Sequence, residues 1–178
     1  MYLIVLFFHF LGLIALAGGF VVFHRTIGAL RRANTVEQAR DWFGVLATSR
    51  PMIQGGLGLL VLTGLAMGGM NWRGAYPWLV AALAGAIVVG GLAGGGAGVW
   101  MRRTKAMLDG GASGAISAAL TEQLRMPRPW IAIACANGLV LGVVWVMTTK
   151  PDWIGSIAVL IVTAGAGGWI GSGLATRQ

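Results

Sequence analysis

Five apolar runs, each long enough to cross a bilayer as a helix, govern what this chain can fold into. They extend over about Tyr2 to Phe23, Met52 to Met70, Pro77 to Met101, Trp130 to Thr149 and Trp153 to Ala175. A hydrocarbon core of ~30 Å takes roughly 20 helical residues to cross. Within it a backbone must satisfy its own polar groups, and a run of this length does so as helix. Charged residues make up only 10% of the chain, against about 25% in soluble domains. The expectation is an all-α, polytopic bundle of five transmembrane helices forming one domain over residues 1–178, with the lipid bilayer as its main partner. Fusing the last two runs into one span would strand Lys150, Pro151 and Asp152 at mid-bilayer, where charge is costly. The first run contains Ala15-Leu16-Ala17, which looks like a signal-cleavage site, but no basic residue precedes it and it continues to Phe23. It is read as a retained helix.

Charge then orients the bundle. Of the 13 Lys and Arg residues, all but Arg73 and Lys150 fall between runs one and two, between runs three and four, or at Arg177 in the tail. Short cytoplasmic loops are enriched in these residues, so segments 25–50 and 102–128 are expected in the cytoplasm, with the N-terminus outside and the C-terminus inside. Tryptophan favours the membrane boundary, and this topology places Trp72, Trp78, Trp145 and Trp153 near the outer boundary, with Trp100, Trp130 and Trp169 toward the inner one. The net charge of +8 is thus a topology signal, and no nucleic-acid partner is expected.

Both basic loops carry helical signals. Thr35-Val36-Glu37-Gln38 fits a capping box, after which Val36, Ala39, Trp42, Phe43 and Leu46 share one face. This predicts an interfacial helix before Pro51. Beyond a break at Gly110-Gly111, residues Ile116, Leu120 and Leu124 form a stripe ending before Pro127, as in a helix docked on a protein or membrane surface.

Thirty glycines, many in i, i+4 pairs within the runs, predict close helix packing: Gly64/Gly68, Gly90/Gly94, Gly91/Gly95, Gly94/Gly98, Gly138/Gly142 and Gly167/Gly171. Such pairs let backbones approach where lipid gives no hydrophobic drive between helices. The dense glycines of Gly90 to Gly98 predict a central third helix or a contact with a second copy or a larger membrane complex.

Intramembrane ionisable residues are functional candidates by default, and these runs contain no Asp, Glu, Lys or Arg. That weighs against proton pumps, ion-coupled transporters and carboxylate catalysis. Asn137, near mid-depth, is expected to bond to another helix. The single cysteine, Cys135, excludes an intrachain disulfide. His9 remains, on the first run, and imidazole is a ligand for haem iron and for copper. Met67, Met70 and Met147 fall at a similar depth and could supply a thioether opposite it. His24, fifteen residues on, lies roughly 22 Å further along the helix, too far to share a metal with His9.

The motif Met147-Thr148-Thr149-Lys150-Pro151 with Gly155-Ser156, together with Arg128-Pro129-Trp130 and a first helix running from His9-Phe10-Leu11-Gly12 to Gly18-Gly19, resembles bacterial predicted integral membrane proteins grouped as a domain of unknown function. The resemblance spans the chain and implies a helical fold in the bacterial inner membrane. The spacing from His9 through Gly12 to Gly19-Phe20 is similar to the first helix of the membrane-bound protoporphyrinogen oxidase family, which binds haem b, and of the copper-resistance D family. A YLPR-like stretch of the oxidases is replaced by Phe20-Val21-Val22-Phe23-His24-Arg25, and no intramembrane basic residue is found on helix three. Oxidase activity is therefore not expected, while haem b or copper at His9 stays open as the alternative to a cofactor-free module. Three readings follow, in order: a non-catalytic accessory or assembly module, a haem or copper protein using His9 for electron transfer, metal passage or oxidation, and a small-molecule permease.

Overall fold

The computed structural model describes residues 1–71 and 76–176, with side chains to 174; Trp72, Arg73 and Arg177, used above as boundary and charge markers, lie outside them. In order the helices are α1 (Tyr2–Arg31), α2 (Val36–Asn71), α3 (Pro77–Gly91), a π-helical segment (Leu92–Ala97), α4 (Gly98–Gly110), α5 (Ala118–Arg125), α6 (Arg128–Thr149) and α7 (Trp153–Thr176). Five helical stretches are long and apolar enough to cross a membrane: Tyr2–Arg31, Val36–Asn71, Pro77–Gly110, Ala118–Thr149 and Trp153–Leu174. These are the helices of a multi-pass membrane protein. Their outward faces carry exposed Phe7, Ile14, Leu62, Ile87, Ile154 and Ile161, side chains suited to lipid.

Proline and backbone chemistry set several boundaries. Pro77 opens α3, and Pro129 sits in the first turn of α6, where a missing N–H costs nothing. Helix α6 ends on Lys150 in the left-handed region at φ 50°, and Pro151 follows it. Pro51 behaves differently. It lies inside α2, so the expected interfacial helix is not a separate element but the first turns of a helix that continues into the membrane run. Just ahead of Pro51, the Thr48 and Ser49 hydroxyls donate to the carbonyls of Val45 and Leu46 at 2.7 Å each, the kind of side-chain support that lets a helix carry a proline.

Helix α1 packs along α2, α6 along α7, and α3 with the π segment lies against α6. At the first seam, a Cβ on Gly56 would sit 2.6 Å from the Leu16 nitrogen and 2.7 Å from the Gly12 carbonyl oxygen. At the second, Cβ atoms on Gly138 and Gly167 would collide with the Thr163 and Ala134 carbonyls. Gly91, Gly94 and Gly95 instead have open space where a side chain would go, so this face of the third span is not enclosed by the bundle.

The basic end is built by water-side chemistry. Thr35 caps α2 by accepting from the Gln38 N–H at 3.2 Å; the Gln38 side chain reaches back to the Asn34 N–H at 3.0 Å, one residue before the cap itself. Helix α5, capped by Ser117, buries Leu120 and Leu124 on the protein. Each such burial contributes about 1.5–3 kcal/mol where the alternative is water. Arginines counted as topology signals hold the loops: Arg40 donates to the carbonyls of Leu108 and Gly111, at 2.8 and 2.7 Å, and Arg31 to that of Arg125 at 2.6 Å. Trp78, Trp100 and Trp130 are buried in the protein, whereas Trp145, Trp153 and Trp169 are exposed.

Candidate functional site

The close approach of α1 and α2 at Gly12 and Gly56 positions His9. One turn further from the basic end, the His9 ring lies beside Gly64, where a Cβ would be 3.5 Å from its Cε1, and its Nδ1 is 2.9 Å from Thr63 Oγ1. The Thr63 hydroxyl donates its single hydrogen to the Leu59 carbonyl at 2.5 Å. With that hydrogen on the Leu59 carbonyl, the oxygen accepts from the histidine in its Nδ1–H tautomer. The lone pair then resides on Nε2.

His9 is half-buried and lines a cavity of about 460 Å³ between α1, α2, α3 and α6. That is within the range of small-molecule and cofactor pockets. Its walls include Leu16, Leu60, Leu83, Val143 and Met147. Among the described residues lining it, His9 carries the only side-chain nitrogen or oxygen. A single electron-pair donor thus faces an apolar chamber.

The four residues singled out by sequence are only partly brought together. His9 and Met147 line the same cavity; Met67 and Met70 are not among its lining residues. Met67 is buried, while Met70 is 46% exposed. Rotation about the α2 axis decides this, since a similar depth does not imply a shared face. Thr63 is the residue whose part the sequence did not show. Its only sequence signal was a polar side chain in an apolar run at His9's depth.

The donor set discriminates between the two expected groups. Among the described residues no cluster of three His, Cys, Asp or Glu side chains exists. A bare copper ion would have one nitrogen and one thioether in a chamber unable to offset its desolvation. Haem b needs one or two axial ligands, and most of its surface is apolar. The residues present fit haem and fit copper poorly.

The second cavity, of about 660 Å³, lies between α1, α6 and α7. His24 is there, its ring 5.6 Å from that of Trp130, as is Asn137. The Asn137 amide makes no hydrogen bond among the described residues, so the expected interhelical bond is not formed. Compared with protein-family models, with curated proteins and with solved structures, the chain matches none.

Proposed function

We propose that this chain is a non-catalytic module of the bacterial inner membrane that holds haem b in the His9 chamber. One observation carries the reading: His9, the one side chain with a nitrogen or oxygen among the described residues lining an apolar cavity, has its Nδ1 held by the Thr63 hydroxyl, which leaves Nε2 to serve as the ligand atom. Metal-bound histidines are characteristically oriented by such a bond on the other nitrogen. His9 would hold the iron, with the Met147 thioether in the same chamber and Leu16, Leu60 and Leu83 as walls that exclude water. Lys150, held with its ammonium 5.5 Å from the Trp78 ring centroid, supplies a cation on the same helix one turn beyond Met147. Bound haem would supply one-electron redox chemistry. The chain's own part is to bind and orient the group.

The orientation that accompanies this proposal, N-terminus outside and basic loops in the cytoplasm, rests on the distribution of Lys and Arg. It places His9 in the outer leaflet. Reporters fused after Arg32, Lys105 and Lys150 should read inside, inside and outside; an external reporter at Lys105 overturns the orientation.

The cofactor is tested by the absorption spectrum and metal content of the detergent-purified protein. A Soret band with stoichiometric iron, absent in His9→Ala, is expected. A second reading, an accessory or assembly module without a cofactor, is favoured by the open glycine face of the third span at Gly91, Gly94 and Gly95, where a partner helix could approach closely. A colourless, metal-free preparation with a stoichiometric membrane partner would establish it in place of the first.

A further inference from the structure

The cavity between α1, α6 and α7 is graded along its length. Near the basic end it is lined by His24, Arg25 and Trp130. On α6, Leu141 lies eleven residues beyond Trp130, about 16 Å deeper along the helix. On α1, Ala17 lies eight residues before Arg25, about 12 Å deeper. Deeper, Ala17, Phe20, Val21 and Leu141 make the walls apolar, broken by Asn137 and by Thr163, whose hydroxyl is bonded within its own helix. A polar mouth at headgroup depth above an apolar trough has the same order as a phospholipid.

The mouth also holds hydrogen-bond donors with nothing to donate to. Trp130 is 3% exposed and lines the cavity, yet its Nε1 has no partner among the described residues. The indole is a donor only, and a buried donor left unmet is destabilising. The Arg31 guanidinium carbon lies 5.8 Å from the Trp130 ring centroid, and one of its nitrogens, Nη1, is likewise buried without a partner. Arg25 is exposed at the rim, and no Asp or Glu lines the cavity among the described residues. At this end of the groove two adjoining side chains, Trp130 and Arg31, each keep an N–H without an acceptor, and Arg25 adds a cation at the rim.

We propose that this groove binds an anionic phospholipid, its phosphate at Arg25 and the Trp130 Nε1–H, with Arg31 adjoining, and an acyl chain along Phe20, Val21 and Leu141. Basic pockets between transmembrane helices recognise lipid headgroups in this way. A soluble phosphate would use the mouth and leave the trough unfilled.

The test is native mass spectrometry of the full chain in detergent, titrated with phosphatidylglycerol, with phosphatidylcholine and with inorganic phosphate. Phosphatidylglycerol should be retained about fivefold more than phosphatidylcholine, and Trp130→Phe and Arg25→Gln should each lower its retention about threefold or more. Arg103→Gln, an exposed change on α4, should leave retention unaltered. Arg25→Gln alters a rim residue and keeps the test valid should Trp130→Phe fold poorly. Equal retention of the two lipids overturns the proposal, as does a loss no greater than that of Arg103→Gln. Inorganic phosphate binding as well as the anionic lipid would assign the mouth to a soluble anion and overturn it too.

Discussion

The two cavities of this bundle differ in what they leave unsatisfied. In the His9 chamber the available hydrogens are spoken for, through Thr63 and Leu59, and a lone pair remains. At the mouth of the groove at the basic end, N–H groups of Trp130 and of the adjoining Arg31 lack acceptors. One cavity is suited to an electron-pair acceptor such as iron, the other to an anion. Volume would not have separated them, since each could house a sizeable ligand; the sign of the unmet hydrogen-bonding capacity does.

The difference is broken most completely at the helix seams. Gly56→Leu would drive a side chain into the α1 backbone, a misfit of about 3 kcal/mol or more. It should abolish the His9 chamber while leaving the α6–α7 pair intact. Gly167→Leu should do the converse, spoiling the groove against the Ala134 carbonyl. Thermal unfolding in detergent, read beside the cofactor spectrum and lipid retention, tests this separation; a loss of both sites in both variants would show that they are one cooperative unit. Thr63→Val comes next. It keeps the shape and removes the acceptor for Nδ1–H, so cofactor affinity should fall about 10- to 100-fold, with lipid retention unchanged. An unaltered affinity would mean that the tautomer does not matter.

Smaller effects belong to the water-side clasp. Arg40→Ala removes the donor shared by the Leu108 and Gly111 carbonyls and should cost about 1.5–3 kcal/mol, seen as a lower unfolding midpoint and faster amide exchange after α4. Glu37 is the mildest lever. Its carboxylate accepts from the Gly114 N–H at 2.9 Å, and hydrogen bonds from its own N–H and then from that of Gly114 hold its pKa below the usual carboxylate value. A depressed folded pKa means the contact contributes above the unfolded pKa and is lost as pH falls through the folded one. Amide protection at Gly114, corrected for intrinsic rates, should therefore drop on acidification in the native chain and show no such step in Glu37→Gln.

The sequence was most legible where physics is local. Run length identified the spans, because hydrocarbon thickness demands it. Thr35 announced a cap, because its hydroxyl needs only the next turn. The stripe of Leu120 and Leu124 announced a docked helix. What was not legible depended on rotation and on partners far along the chain. Met147 and Met67 share chemistry and approximate depth, yet only Met147 reaches the His9 cavity. Trp130 was legible as an aromatic ring at a span end, but not as a buried donor without an acceptor. Pro51 marked a break by local rule, and the helix runs through it.

That uninterrupted α2 is a rod of 36 residues, about 54 Å long, anchored at Glu37 by the clasp and bearing Thr63 on the wall of the histidine chamber. The residues that seat its first turns, Ala39 and Phe43, and the Thr63 that holds His9 thus belong to one continuous helix. The one slack joint is Pro51, where the missing N–H leaves the two halves least firmly coupled.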